Sequence, residues 1–225
     1  MTTVHQYHLT PTPLIPNSPY PVLHYPGFLS THLSEPSHIA PKVHTLFKQN
    51  GWITQWIFRY GSTQQSHYHS QSHECMAVLC GAARIRFGAA DHERAYIEVT
   101  ASEGDVFLIP AGVAHKTFDA SPAGDFTLLT PGEGRGVAIG EGQDVKEVLG
   151  KVRLEGFTMM GAYPVGGEWD FATGGEHSGE FERIWKVEKP EVDPVLGESE
   201  EGLRGIWEKV DMRGLRGFVE SEKIA

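Results

Sequence analysis

The alternation of apolar and polar side chains is densest between residues 52 and 129, where it has the two-residue period of β-strands. Its first run puts Trp52, Thr54, Trp56, Phe58 and Tyr60 on one face of a predicted strand. Further β-rich or apolar runs lie at 75–80, 83–87, 95–99, 105–109, 114–118, 126–129 and 157–163. Many short strands in close succession favour a β-sandwich or barrel over βαβ units.

The segments outside this region predict peripheral structure. Residues 10–36 contain seven prolines and are expected to form an extended arm laid over a sheet, because proline cannot serve a central ladder. A helix is predicted over 38–50, with Gly51 just beyond its carboxyl end. The stretch 130–156, with a short helical candidate at Asp144–Leu149, is expected to be an inserted surface excursion.

We therefore expect one all-β domain over residues 1–225. Its predicted parts are an amino-terminal arm and helix (1–51), a core barrel (about 52–129 and 157–165), the insertion (130–156) and a carboxyl-terminal tail (166–225). Within the tail, the acidic stretch 176–201 is expected to be solvated. Residues 199–210 are expected to form a closing helix that docks Leu203, Ile206 and Trp207.

Charge and cysteine content narrow the classes of function and the compartment. The 225 residues include 19 Lys and Arg against 29 Asp and Glu, a net charge of −10, which argues against a nucleic-acid partner. The amino terminus lacks the pattern of a secretory signal, and no apolar run approaches the length of a membrane span. Cys75 and Cys80 point to opposite faces of one predicted strand, so no disulfide is expected. Two free thiols favour a cytoplasmic protein.

Among the twelve histidines, the pair His67 and His69 is the most informative because of its spacing. Residues two apart in a strand share a face, so both imidazoles can reach one point about 2 Å away. Glu74 follows five residues later, an odd spacing that requires an intervening turn before the next strand. Two imidazoles and a carboxylate with open positions suit a divalent metal that meets a substrate or dioxygen.

A fourth ligand must come from elsewhere, and His115 is the best candidate. The apolar strand 106–109 ends in the turn sequence Pro110-Ala111-Gly112, and His115 then opens the next strand. The mixed nitrogen and oxygen ligands fit Mn, Fe, Ni, Zn, Cu or Co, so the identity of the metal stays open.

These residues form two motifs that resemble those of the cupin superfamily. The first motif, G-x5-H-x-H-x4-E-x6-G, consists of Gly61, His67, His69, Glu74 and Gly81. The second motif, G-x5-P-x-G-x2-H, consists of Gly104, Pro110, Gly112 and His115. The segments PNSPYPVLHY, LFKQNGW, GAYPVGGEWDF and DPVLG are similar to the YjlB-like cupin subgroup. The resemblance implies a double-stranded β-helix, or jelly-roll barrel, that holds one metal between His67, His69, Glu74 and His115, and it implies a homodimer. Asp119 departs from the second motif, which usually has Asn there.

Other residues compete for a role in the site. His73 neighbours Glu74 and, by strand alternation, is expected to face solvent or a loop rather than the metal. Cys75 is expected to be a buried apolar side chain rather than a reactive thiol. Arg84 and Arg86 share a face and would suit a substrate carboxylate, although a solvated outer face is the favoured interpretation.

Two hypotheses for function follow. The first is a metal-dependent enzyme that acts on a small organic acid or an oxygen-rich metabolite by oxidation, decarboxylation or isomerisation. The second is a non-enzymatic module in which the metal stabilises the barrel or captures a ligand. A titratable group that faces the pocket beside the metal would favour the enzyme, and the sequence does not identify such an acid or base.

Overall fold

The computed structural model describes residues 2–32 and 38–210, so what we expect of residues 1, 33–37 and 211–225 lies outside the described residues. The strands in the described ranges are β1 (His5–Tyr7), β2 (Val22–Tyr25), β3 (Trp52–Arg59), β4 (Glu74–Cys80), β5 (Ala82–Phe87), β6 (Ile97–Ser102), β7 (Val106–Ile109), β8 (His115–Ser121), β9 (Thr127–Leu128) and β10 (Thr158–Pro164). The helices are α1 (Phe28–His32), α2 (Ile39–Gln49), α3 (Val145–Gly150), α4 (Phe181–Trp185) and α5 (Leu203–Trp207).

The strands form two antiparallel sheets. The larger has the order β1-β2-β7-β4-β10-β3-β9, and the smaller has the order β6-β5-β8. Neighbours in space are often distant in sequence, as where β4 lies between β7 and β10. Two facing antiparallel sheets with such crossovers form a jelly roll, so the predicted all-β barrel is confirmed.

The central strand β4 is buried on both faces, which explains its nearly continuous apolar sequence. Met76 and Val78 pack between the two sheets, whereas Cys75, Ala77 and Leu79 pack on the outer face of the larger sheet. Cys75 is therefore an apolar core residue, as expected. Both cysteines are free, which agrees with the prediction that they form no disulfide.

The outer face of the larger sheet is covered by helices. Helix α2 forms within one residue of its predicted bounds and buries Val43 and Phe47 there, and Gly51 has the left-handed φ of +77° expected beyond its end. Helix α5 is shorter than predicted but docks Leu203 and Trp207 in the same core. No helix in the described ranges is long and apolar enough to cross a bilayer.

A β-bulge in β3 corrects the prediction that its five alternating residues share one face. Gly161 of β10 is paired with Trp56 and Ala162 with Thr54, so Gln55 is the extra residue. Because of this insertion, Trp52 packs in the outer core, while Trp56 and Tyr60 face the space between the sheets. The bulge therefore divides one apolar pattern between two cores.

The arm and the tail are more integrated than expected. Residues 22–25 form a strand that is hydrogen-bonded to β7, whereas the sequence predicted an arm laid over the sheet. Residues 176–201 are only partly exposed, and they include helix α4 and the fully buried Asp193. The Asp193 carboxylate accepts hydrogen bonds from the Tyr25 hydroxyl (2.5 Å) and from the amides of Val195, Leu196 and Leu203 (2.7–2.9 Å). This carboxylate ties the tail to the arm.

We predict that Asp193→Ala lowers the free energy of unfolding by about 2–4 kcal/mol, because it leaves four buried donors without their acceptor. Urea denaturation measures the change. Glu191→Ala is the matched control, since it removes an exposed carboxylate two residues away and should change the free energy by less than about 0.5 kcal/mol. Equal effects of the two substitutions would contradict the anchoring role of Asp193.

Candidate metal centre

The backbone pairing of His67 with His115 brings the two cupin-like motifs together. The His67 amide donates to the His115 carbonyl (3.1 Å), and the His115 amide donates to the His67 carbonyl (2.8 Å). Two residues further on, the Gly112 amide donates to the His69 carbonyl at 2.8 Å. A directly opposed pair in an antiparallel ladder places its side chains on the same face, so His67 and His115 converge.

The segment that carries His69 is held by the stretch after β10. The Asp170 carboxylate accepts hydrogen bonds from the Ser70 amide and the Ser70 hydroxyl, both at 2.6 Å. Tyr68 and Ala172 exchange two backbone hydrogen bonds, at 2.8 and 3.1 Å. The ring of His69 donates from Nδ1 to the carbonyl oxygen of Asp170. The orientation of the His69 ring is thus fixed by its own hydrogen bond and by those of the neighbouring residues.

Glu74 is the first residue of β4, after the turn that the odd spacing required. Its Oε2 lies 3.4 Å from Nε2 of His69 and 3.1 Å from Nε2 of His115. The candidate ligand atoms of His67, His69 and His115 lie within 4.8 Å of one another, and all four residues are buried. Ligands about 2.1 Å from one ion lie at most about 4.2 Å apart, so the distances from Glu74 suit a shared cation.

The hydrogen bonds of the three imidazoles leave only acceptors at the centre. Nδ1 of His67 contacts the carbonyl of Gln65, and Nδ1 of His115 contacts the carbonyl of Val113, each at 3.1 Å. Because a carbonyl oxygen only accepts, Nδ1 carries the proton in both rings, as it does in His69. In a neutral imidazole, Nε2 then carries a lone pair and can only accept.

This arrangement fits a bound metal. Glu74 Oε2 is fully enclosed and has no hydrogen-bond partner among the described residues. Lone pairs of His69 and His115 next to this oxygen repel it unless a proton or a cation lies between them. Histidines whose second nitrogen donates to a carbonyl are the usual form of histidine metal ligands.

Burial and mutual charge set the protonation of the centre. Burial lowers the pKa of His67 well below its ordinary value, and His115 and His69 add to the effect. Burial alone would raise the pKa of Glu74, but His69 and His115 hold that pKa well below its usual range. Burial likewise opposes charge on His69, yet the Glu74 carboxylate raises the pKa of that imidazole. Glu74 is therefore ionised, and His67 is neutral.

A second layer of groups positions Glu74. The Tyr163 hydroxyl donates to Glu74 Oε1, and it accepts a bond from Trp56 Nε1 at 3.3 Å. Burial and the Glu74 carboxylate raise the pKa of Tyr163, so its hydroxyl stays a donor. Gly161 makes room for this layer, because a Cβ there would lie 2.1 Å from the Trp56 ring. The sequence did not identify Tyr163, which comes from the strand after the insertion.

The four residues form one end of a cavity of about 180 Å³. Aromatic side chains supply most of its wall: Trp56, Phe58, Tyr60, Phe126, Tyr163, Trp169 and Phe171. Gln64 and Met76 complete the lining. Among the described lining residues there is no Lys or Arg. A larger groove of about 500 Å³ shares none of these residues and lacks convergent ligand atoms.

The competing residues lie outside this cavity. His73 is buried rather than solvated, and its Nδ1 accepts from the Ala111 amide at 3.1 Å. Arg84 and Arg86 both contact Glu98 on the small sheet; Arg84 is half exposed, as expected of a solvated face, whereas Arg86 is mostly buried. Asp119 is exposed and has a φ of +51°, a left-handed conformation that Asn and Asp tolerate better than most residues. A backbone requirement thus explains the residue type at position 119.

Comparison with known proteins agrees with this geometry. Residues 55–132 match the cupin domain family model, which agrees with the predicted cupin fold. The chain is YjlB-like: it is 28% identical to the uncharacterised protein YjlB of Bacillus subtilis (strain 168) over 201 residues, which cover 87% of this chain and 91% of YjlB. The predicted cupin fold and subgroup are confirmed.

Solved structures that match this chain do so at low similarity. The 3,4-ketoisomerase QdtA from Thermoanaerobacterium thermosaccharolyticum, in complex with TDP, is 16% identical with a TM-score of 0.27, over 50% of this chain and 56% of that chain. Oxalate decarboxylase from Lactobacillus farciminis is 14% identical with a TM-score of 0.27, over 52% of this chain and 26% of that chain. Each alignment thus joins about half of this chain to part of the other chain.

We predict that Tyr163→Phe weakens metal affinity by about 10-fold to 100-fold, because Glu74 loses the donor that orients it. Competition with a chromophoric chelator measures the affinity. Tyr68→Phe is the control, since it removes a buried tyrosine hydroxyl bonded to His177 (2.8 Å) rather than to the centre. Unchanged affinity in Tyr163→Phe would show that Tyr163 does not position the ligand.

Proposed function

We propose that this protein is a metal-dependent enzyme that acts on a small organic acid or a related oxygen-rich metabolite. His67, His69, Glu74 and His115 are the proposed ligands of one divalent metal, which is Mn, Fe, Ni, Zn, Cu or Co. The observation that carries the proposal is the buried convergence of histidine lone pairs on the unpartnered Glu74 oxygen at the end of a cavity. A metal bound there would supply Lewis-acid or redox chemistry for oxidation, decarboxylation or isomerisation.

Tyr60 supplies the polar group beside the ligand set that the proposed enzyme needs. Its ring is 4% exposed and lines the cavity, and none of the described residues hydrogen-bonds its hydroxyl. Burial, with the Glu74 carboxylate, raises the pKa of Tyr60 well above its ordinary value, so the hydroxyl keeps its proton. A neutral donor without a protein partner is available to a substrate oxygen. Tyr60 is thus our candidate for a hydrogen-bond donor to the substrate, a role that the sequence did not assign.

The remaining protein groups would bind and shield the substrate. Gln64 also lines the cavity; its side-chain oxygen accepts from the Thr117 amide (3.3 Å), which fixes its orientation. The aromatic walls exclude water, and a low local dielectric strengthens the polar contacts made inside. The alternative, a non-enzymatic module that binds a metal or a ligand, needs the same ligand set and would use the Tyr60 donor only to hold the ligand.

The metal assignment predicts that the protein, purified without chelators, contains about one equivalent of metal per chain. His67→Ala and His115→Ala should each lose it, since each removes one of the convergent nitrogens. Metal content is measured by inductively coupled plasma mass spectrometry. His92→Ala, which removes an exposed histidine, should retain the metal. Full retention in His67→Ala or His115→Ala would exclude the ligand assignment.

The enzymatic assignment predicts turnover by the metal-loaded protein. A panel of small organic acids is incubated with it, with and without dioxygen, and product formation is followed by NMR. Tyr60→Phe should lower the rate by about 100-fold or more while the metal content stays full, the loss expected when a preorganised hydrogen-bond donor is removed. Tyr96→Phe, which changes a partly exposed tyrosine outside the cavity, should have no effect. Full metal occupancy without turnover would favour the binding module.

The proposed homodimer and the proposed cytoplasmic location rest on the resemblance and on the free thiols. Light scattering tests the homodimer, and a monomer mass would exclude it.

A further inference from the structure

The cavity mouth is formed by two half-exposed aromatic rings, each backed by another ring. Phe126 is 54% exposed and stacks on Phe58 at 4.8 Å, with 9° between the planes. Phe171 is 51% exposed and stacks on His67 at 4.2 Å and 12°. These two rings differ from the other exposed apolar side chains among the described residues because both line the same cavity, where they form one apolar surface.

The size of the cavity limits what these rings can enclose. A volume of about 180 Å³ is close to that of engineered apolar cavities of about 150 Å³, which bind benzene. The enclosed part of the cavity therefore has room for one six-membered ring with a small substituent. The edges and faces of the surrounding rings offer stacked and edge-to-face contacts to such a ring.

The charge of the site selects the substituent. The described lining residues provide no Lys or Arg, so the proposed metal would be the cation that a ligand meets. A divalent ion with the Glu74 carboxylate and three neutral imidazoles has a net charge of +1, which one carboxylate balances. The walls offer Tyr60 and Gln64 as polar groups beside the ligand set, too few for a sugar or polyol.

We propose that the cavity binds a monocyclic aromatic carboxylate, with its ring against Phe126 and Phe171 and its carboxylate toward His67, His69, Glu74 and His115. This inference rests on the proposed function and narrows its class of organic acid. Phe126 and Phe171 are then specificity-determining residues that contact the ring. Binding of the carboxylate depends on the metal, whereas selection of the ring depends on the aromatic walls of the cavity.

Isothermal titration calorimetry of the zinc-loaded full chain tests the proposal, since zinc has no redox chemistry and keeps the ligand intact. Three probes are compared: benzoate, cyclohexanecarboxylate with the same charge and a similar size but no aromatic ring, and oxalate with no ring. Benzoate should bind about threefold to tenfold more tightly than cyclohexanecarboxylate, the factor that an aromatic contact provides, and more tightly still than oxalate.

Phe126→Ala and Phe171→Ala should each weaken benzoate binding about threefold to tenfold and leave cyclohexanecarboxylate less affected. Both residues are half exposed, so the fold should tolerate the change. Tyr96→Ala removes another partly exposed aromatic side chain outside the cavity and should leave every affinity unchanged.

The proposal is overturned if cyclohexanecarboxylate or oxalate equals benzoate, if benzoate does not bind, or if both phenylalanine variants keep the parent affinity. Metal content is measured on the same samples and reports separately on the proposed function. If the chain takes up no metal, the uncharged pair benzamide and cyclohexanecarboxamide is compared on the metal-free protein, because selection of the ring depends on the walls alone; equal affinities there would also overturn the ring preference.

Discussion

The structure depends on one electrostatic constraint: acceptor atoms of four side chains are buried together at the end of a β-barrel. Such a group costs free energy unless a cation or a proton lies within it. The surrounding main chain increases the constraint, because carbonyls of Gln65, Val113 and Asp170 hold the protons on the outer nitrogens of the rings. The fold thus holds the acceptor atoms close together, an arrangement that suits a cation.

Much of this centre could be predicted from the sequence, because local rules govern it. The two-residue spacing of His67 and His69 follows the strand period, and the odd spacing to Glu74 required the turn that the structure contains. Gly112 could be understood in the same way: it has a φ of +85°, and a Cβ there would lie 2.7 Å from the Asn17 carbonyl. Its position before His115 therefore reflects backbone geometry and close packing of the arm.

The parts that the sequence did not predict depend on long-range contacts. No local pattern marks Tyr163 as a partner of Glu74, because the two residues are 89 positions apart and meet only when β10 inserts beside β4. The bulge at Gln55 is equally hidden, since an unbroken alternation of apolar residues also fits a regular strand. The strand at residues 22–25 was underestimated because nearby prolines argue against a ladder, yet none lies within it.

The segments outside the barrel strands decide the character of the cavity. Trp169 donates to the Gly134 carbonyl at 3.1 Å, and the Arg135 guanidinium lies 4.4 Å from the centre of the Trp169 ring. The stretch 130–156 is therefore more than a surface excursion, because it fixes a wall of the cavity. The barrel strands and turns supply the ligand set, while the segments around Phe126, Trp169 and Phe171 supply the walls. Chains that share the ligand set can differ in the walls, which is why the cupin fold alone does not determine what such a cavity binds.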